Sequence, residues 1–118
     1  METAQFEAQV RQRAGVAVVE LAGDVDGSAE AALEAAYAQA EQAPAILLEF
    51  SRVAYINSTG IALIVGVLAK ARARRQEVSA CGLSDHYREI FEITRLADFM
   101  TLFPDAESAL TETTEERS

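Results

Sequence analysis

Residues 56–68 read Ile56-Asn57-Ser58-Thr59-Gly60-Ile61-Ala62-Leu63-Ile64-Val65-Gly66-Val67-Leu68. Three helix-capping residue types, Asn, Ser and Thr, stand directly before an apolar run that predicts a buried helix. The start of a helix exposes backbone N–H groups and the positive end of the helix dipole, and both favour a phosphate. We therefore interpret Ser58 as a phosphorylation switch, with Thr59 as the alternative acceptor. The alternative is a helix cap without regulation.

Composition restricts the class of protein. Half of the 118 residues are apolar and 7% are aromatic, which suits one small α/β domain. The net charge of −9 argues against nucleic acid as a partner, because phosphate backbones require neutralising cations. We expect no membrane span, since no apolar run approaches roughly 20 residues. We also expect no secretory signal, since no basic region leads into an apolar one at the N-terminus. Cys81 is the one cysteine, which rules out an internal disulfide and predicts a cytoplasmic protein.

The hydrophobic pattern predicts the element order β-β-α-β-α-β-α-β-α, without a repeat or a linker. Predicted strands cover 6–11, 16–21, 46–50, 77–81 and 99–103, and predicted helices cover 29–42, a segment from Ser58, 86–96 and 104–110. We predict a single domain over residues 1–118, with 111–118 as a frayed tail. The alternation of strands and helices predicts a mixed, largely parallel five-stranded sheet with about four helices packed mainly on one side.

The helix that begins at Ser58 has two apolar sides at about 100° per residue. The side predicted to face the sheet consists of Ile61, Ile64, Val65 and Leu68. The opposite side is predicted to bind a partner and consists of Thr59, Ala62, Leu63, Gly66 and Val67, followed by Lys70. It is small and apolar where a solvated side would carry charges, and Gly66 permits close approach of another backbone. The alternative is packing against a neighbouring helix of the same domain.

Acidic residues are predicted around the candidate hydroxyl. The carboxyl ends of parallel strands share one sheet edge, which would bring Asp24, Asp26 and Glu49 near Ser58. A carboxylate there would orient the hydroxyl or hold the Mg²⁺ of a kinase, and a phosphate would add about −1.5 to −2 charge. Solvated loop residues are the alternative, especially for Asp24. Asn57 and Gly60 complete the predicted surroundings.

Basic residues cluster at the other end of the same helix. The cluster consists of Lys70, Arg72, Arg74 and Arg75. Cations there offset the negative end of the helix dipole, and we favour this interpretation over an anion-binding patch.

Four segments together resemble the STAS family of anti-sigma factor antagonists, over residues 6–110. They are the loop Gly23-Asp24-Val25-Asp26, the strand 46–50 with the segment 55–61, the segment 82–84 with 90–96, and the end pattern 103–110. The resemblance implies the STAS fold. It also implies that Ser58 matches the serine phosphorylated in the family. Two positions depart from the family pattern, which usually has aspartate at Asn57 and often at Glu49.

The resemblance implies partners as well. A serine kinase of the histidine-kinase-like ATPase type, itself the anti-sigma factor, would phosphorylate Ser58, and a PP2C-type phosphatase would reverse this. The unphosphorylated form would bind the kinase and so free the sigma factor. The alternative is a structural STAS subunit of a signalling assembly or of a lipid-transport complex.

No pattern in the chain predicts catalysis. Ser84-Asp85-His86 are adjacent at one helix start, where they cannot adopt the geometry of a catalytic triad. Cys81 and His86 have no partners at metal-ligand spacing, and no Gly-x-Gly-x-x-Gly or P-loop sequence is present. We therefore predict no enzyme activity, no metal and no cofactor.

Overall fold

Five strands and four helices follow one another in the predicted order in the computed structural model, which describes residues 5–117 and the side chains of residues 5–112. The elements are β1 Glu7–Arg13, β2 Val16–Val25, α1 Glu30–Ala40, β3 Ala45–Ile56, α2 Ser58–Ala73, β4 Glu77–Cys81, α3 Asp85–Ile93, β5 Thr101–Phe103 and α4 Ala106–Arg117. Short 3-10 turns lie at Gly27–Ala29 and Leu96–Asp98. Within the described residues, no helix has the length and apolar character needed to cross a membrane.

The sheet has the strand order β1-β2-β3-β4-β5. β1 and β2 form an antiparallel hairpin, and its turn places Ala14 and Gly15 at positive φ (54° and 84°), as the twist of a tight hairpin requires. The remaining neighbours are parallel, each pair connected through a helix. This confirms the predicted mixed, largely parallel sheet.

Both faces of the sheet are covered, which explains why the central strands are nearly continuous apolar runs. Ala17, Val19 and Leu21 of β2 point into a large cluster shared with α1, α2 and α3. Its centre includes Phe91, fully buried and edge-to-face against Phe50 at 5.7 Å between ring centroids. The opposite face packs against α4 through a smaller cluster of Val16, Val18, Ala45, Leu47, Cys81 and Ala109. Three of four helices therefore lie on one side, as predicted.

β2 and β3 extend beyond their predicted ends at Leu21 and Phe50. Their parallel pairing continues to Val25 and Ile56, with register shifts between Glu20 and Ala22 and between Gly23 and Asp24. Such irregularities bend a strand and let polar residues enter the ladder without disturbing the buried face. The segment predicted as a loop is therefore largely strand.

The end of the chain also differs from its prediction. α4 does not end at the predicted Leu110 but continues to Arg117. Fraying of residues 111–118 stays a prediction, and Ser118 lies outside the described residues. The side chain of Asp105 accepts the N–H of Ser108 at 2.8 Å and fixes the first turn. Once a helix is nucleated, extension is cheap, and no glycine or proline follows to stop it.

Candidate functional site

Asn57 caps the start of helix α2, so the hydroxyl of Ser58 is not used as the cap. Its extended backbone (φ −97°, ψ −176°) precedes the helix, and its Oδ1 accepts the N–H of Gly60 at 2.8 Å. Ser58 is therefore the first helical residue and Thr59 the second, and both are exposed. Among the described residues, no side-chain hydrogen bond engages the hydroxyl of Ser58. Of the three capping residue types in the sequence, Asn57 is the cap, so a capping role does not account for Ser58.

Gly60 brings the first turn of α2 against the end of β2. A Cβ at this position would lie 1.9 Å from the carbonyl oxygen of Val25 and 3.1 Å from Cγ2 of Ile56, so only glycine fits. The N–H of Asn57 donates to the same carbonyl of Val25 at 3.2 Å. The close approach and the hydrogen bond together fix where the helix begins.

The structure places the segment that carries Asp24 and Asp26 against the start of α2. Asp24 is half-buried and pairs with Tyr55 in the parallel ladder, and a Cβ on Gly27 would lie 3.6 Å from Cγ2 of Thr59. Asp26 accepts the hydroxyl and the N–H of Ser28, the latter at 2.9 Å. These hydrogen bonds hold the pKa of the Asp26 carboxyl below its ordinary value of 3.8, so Asp26 is a carboxylate at neutral pH.

Glu49 does not belong to this site, and its predicted place there is wrong. Because β3 continues to Ile56, Glu49 lies seven residues, roughly 23 Å, before the end of the strand that leads into the helix. Its side chain instead accepts the N–H and the hydroxyl of Ser51, each at 2.7 Å. The carboxylate of Glu49 also contributes, after desolvation by burial, to raising the pKa of Cys81 to about 12.

The faces of α2 are rotated from their prediction. The residues buried against the domain are Gly60, Ile64, Val67, Leu68 and Ala71. Val67, predicted as partner-binding, is only 8% exposed, whereas Val65, predicted as core, is 45% exposed. The close approach at Gly60 sets this rotation, because the side of the helix that carries Gly60 must face β2.

The remaining predicted partner residues form what we term the 59–66 face. It consists of Thr59, Ala62, Leu63 and Gly66. Thr59 and Ala62 are exposed, Leu63 is half-buried and packs partly on the core, and a Cβ at Gly66 would meet no atom within 4 Å. This face runs away from Ser58 along the helix.

Two tyrosines belong to the neighbourhood of the site, although no sequence pattern indicated them. Tyr55 is 53% exposed at the end of β3. The hydroxyl of Tyr87 in α3 accepts the N–H of Ile56 at 3.0 Å, which ties α3 to the residues directly before the helix. Such a contact joins residues 31 positions apart, so it has no local signature in the sequence.

The first turn of α2 is suited to hold a phosphate. The first N–H groups of a helix have no acceptor within it, and Asn57 satisfies only that of Gly60. A phosphate on Ser58 would therefore lie beside the N–H groups of the first turn and the positive end of the dipole, a stabilisation of about 0.3–1 kcal/mol. No cluster of His, Cys, Asp and Glu within the described residues has the arrangement of a metal site.

Comparison with known proteins identifies similar sequences. The family model described as "Mlab, STAS domain" matches residues 8–104, which is most of the chain. The anti-sigma-B factor antagonist of Listeria monocytogenes is 33% identical over 64 residues, covering 54% of this chain and 56% of that protein. The chain thus spans about half the length of the curated relatives it matches.

Solved structures show the same fold. An anti-sigma factor antagonist from Mycobacterium paratuberculosis superposes with a TM-score of 0.76 at 23% identity, covering 92% of this chain and 93% of that one. The anti-sigma factor antagonist SpoIIAA in its unphosphorylated form superposes with a TM-score of 0.70 at 18% identity, covering 94% and 98%. At these identities the likeness concerns the fold alone.

Proposed function

The chain belongs to the STAS domain family, and from that premise we propose that it is a phosphorylation-switched anti-sigma factor antagonist. In its unphosphorylated form it binds a serine kinase that is itself the anti-sigma factor. Phosphorylation of Ser58 blocks this binding, and a PP2C-type phosphatase restores it. The relative from Listeria monocytogenes is named an anti-sigma-B factor antagonist, which supports this class of function.

One observation carries the proposal: the hydroxyl of Ser58 is exposed at the first position of α2 while Asn57 performs the capping. A kinase needs an accessible hydroxyl, and the domain needs to tolerate the product. The first turn of the helix meets the second need, because its N–H groups and dipole favour an anion.

The phosphate acts on the partner more than on the fold. It adds about −1.5 to −2 charge next to the carboxylate of Asp26, on a chain whose net charge is already −9. Within the domain, the helix end compensates this charge. A partner docked on the small apolar 59–66 face has no such compensation, so bringing it close to the phosphate costs desolvation and repulsion.

The kinase is of the histidine-kinase-like ATPase type, and the protein itself is a regulatory binding module without catalytic activity. We place it in the cytoplasm, where ATP and the kinase meet it.

A second candidate is a structural STAS subunit of a larger assembly. The family model that matches is described as a Mlab STAS domain and not as an antagonist, so the match by itself does not select between the two candidates. In that case the 59–66 face would be a permanent interface, and the charge state of Ser58 would not control assembly.

The experiment is phosphorylation of the purified protein by its cognate histidine-kinase-like kinase with ATP. We expect one phosphate, located on Ser58 by peptide mass spectrometry. Ser58→Ala should abolish incorporation, whereas the adjacent Thr59→Ala should retain it and serves as the matched control. Ser58→Asp should weaken kinase binding at least about tenfold, equal to 1.4 kcal/mol, in a titration calorimeter.

Other results would support one of the alternative hypotheses. Phosphate on Thr59 would move the switch by one residue. Stable oligomers that form equally in the wild type and in Ser58→Asp would support the structural subunit and contradict the switch.

A further inference from the structure

A second feature lies at the opposite end of α2, away from Ser58. The C-terminal half of the helix and the segment 94–101 enclose an open groove of about 970 Å³. We term it the 72–99 groove, after Arg72 and Phe99 on its two walls. Arg72 follows Ser58 by fourteen positions in the same helix, so the two sites are roughly 20 Å apart.

The groove has an apolar floor and exposed apolar walls. Leu68, Leu96 and Met100 form part of the floor and belong to the core. On the walls, Val65 is 45% exposed and Phe99 is 52% exposed. Large apolar side chains left in water beside a groove mark a surface that gains free energy when covered.

Arginines rim this groove on an otherwise acidic protein. The guanidinium of Arg72 lies 5.2 Å from the ring centroid of Phe99. Stacking uses the flat face of the guanidinium and leaves its N–H groups free at the edge, where they bind a carboxylate in a bidentate manner. Arg95 is paired with Asp98 at 2.7 Å, and Glu77 also lines the groove. Within the part of the chain that the structure describes, Arg72 and Arg75 have no ion-pair partner.

The four cations predicted to offset the helix dipole differ in their contacts. Arg74 is bound to Glu41 at 3.2 Å, and the ammonium of Lys70 lies over the ring of Tyr37 at 5.7 Å from its centroid. Both therefore serve contacts with α1 or the residue after it. Arg72 and Arg75 make neither of these contacts, and both line the groove.

We propose that the 72–99 groove binds an acidic, amphipathic peptide segment of a partner protein. One aliphatic side chain of the segment packs between Val65 and Phe99, and its carboxylates pair with Arg72 and Arg75. Charge complementarity selects the acidic class, since these two cations are unpaired among the described residues. The open shape favours a peptide over a small ligand, because small-molecule sites bury most of their ligand. The site is independent of Ser58 and of its phosphorylation.

The test uses the ¹⁵N-labelled full chain and a short synthetic peptide with leucines on one helical face and glutamates on the other. We expect saturable shifts of amide signals confined to residues 65–76 and 94–101, with a Kd on the order of 0.1 mM. Arg72→Glu and Phe99→Ala should each raise this Kd at least about tenfold. Arg88→Glu reverses a charge that is also exposed but lies outside the groove, and it should leave the Kd unchanged.

Two further binding measurements test which chemical class of ligand the groove accepts. The same peptide with lysine in place of glutamate should not bind, and sodium laurate below its micellar concentration should not displace the acidic peptide. The proposal is overturned by the absence of saturable shifts, by equal binding of the lysine peptide, or by shifts at residues 57–63 instead. Displacement by laurate would assign the groove to a small amphiphile and would also overturn it. Since both groove variants alter side chains at least partly exposed, the amide spectrum without peptide confirms that they are folded.

Discussion

The two ends of α2 differ in how they are attached to the domain and in the charge they present. At its start, backbone groups hold the helix: the carbonyl of Val25 receives the N–H of Asn57, and Gly60 packs against the same carbonyl. After its end, a side chain performs this role, since the amide of Gln76 donates to the carbonyls of Ala40 and Ala43 at 3.0 and 2.7 Å. The start is beside the carboxylate of Asp26, and the end carries arginines.

One helix therefore supplies two separate surfaces. An anion covalently attached at the start is favoured by the helix dipole and disfavoured by Asp26, so its effect is finely balanced and suits a switch. At the other end, Arg72 and Arg75 attract anions from outside without any modification.

The largest effect is expected from Gly60→Ala. The added Cβ would be 1.9 Å from the backbone oxygen of Val25, and a backbone atom cannot move aside as a flexible side chain can. We expect a loss of about 3 kcal/mol in the free energy of unfolding, measured by urea titration.

Gly66→Ala is the matched control in the same helix. Its Cβ would enter open space, so the variant should gain about 0.5–1 kcal/mol from better helix propensity. Equal effects of the two substitutions would show that α2 does not rest on β2 through Gly60.

Much of the architecture could be predicted because it depends on short-range patterns of apolar, capping and turn residues. Capping residues before an apolar run located the start of α2 at Ser58, and β4 was predicted with its observed bounds, Glu77–Cys81. The rotation of α2 was not predictable in this way. Val65 and Val67 are equally apolar, so periodicity could not decide between them, and the decision comes from a contact between Gly60 and a residue 35 positions earlier.

The candidate site was predictable in part for the same reason. Asp24 and Asp26 lie at the carboxyl end of β2, whose place beside the start of α2 follows from the order of strands. Glu49 was misplaced because the extension of β3 to Ile56 depends on irregular pairing with β2, which has no signal in either strand alone. The 72–99 groove lies between α2 and a segment after α3, so no local sequence pattern predicts it. The sequence placed Phe99 only in a short predicted strand.

A smaller effect on stability is expected from substitution of the helix-capping residue Asn57. Asn57→Ala removes the acceptor for the N–H of Gly60 and should cost about 1 kcal/mol in the free energy of unfolding. Asn57→Asp keeps an acceptor and adds a charge that the dipole favours, so the unphosphorylated variant should be at least as stable as the wild type.

Phosphorylation of Ser58 should reverse the order for the aspartate variant, because two anions then compete for one helix end. The measurement is thermal unfolding of the wild type and Asn57→Asp, each with and without the phosphate. An aspartate variant that remains the more stable of the two after phosphorylation would indicate that the phosphate points away from the helix end.

The smallest effect concerns the pKa of Asp26, read from its carboxyl carbon signal in an NMR pH titration. In the unmodified protein this pKa is lowered by the hydrogen bonds from Ser28, so Ser28→Ala should raise it towards 3.8. Because the folded pKa lies below the unfolded value, the stabilisation is present above about pH 3.8 and is lost as the pH falls through the folded pKa. Phosphorylation of Ser58 should also raise the pKa, since a nearby negative charge disfavours the carboxylate.

The direction of this change tests where the new charge lies. A rise in the pKa of Asp26 after phosphorylation is expected if its carboxylate faces the phosphorylated residue. An unchanged pKa would show that Asp26 does not face Ser58, and the repulsion invoked for partner release must then come from the partner alone.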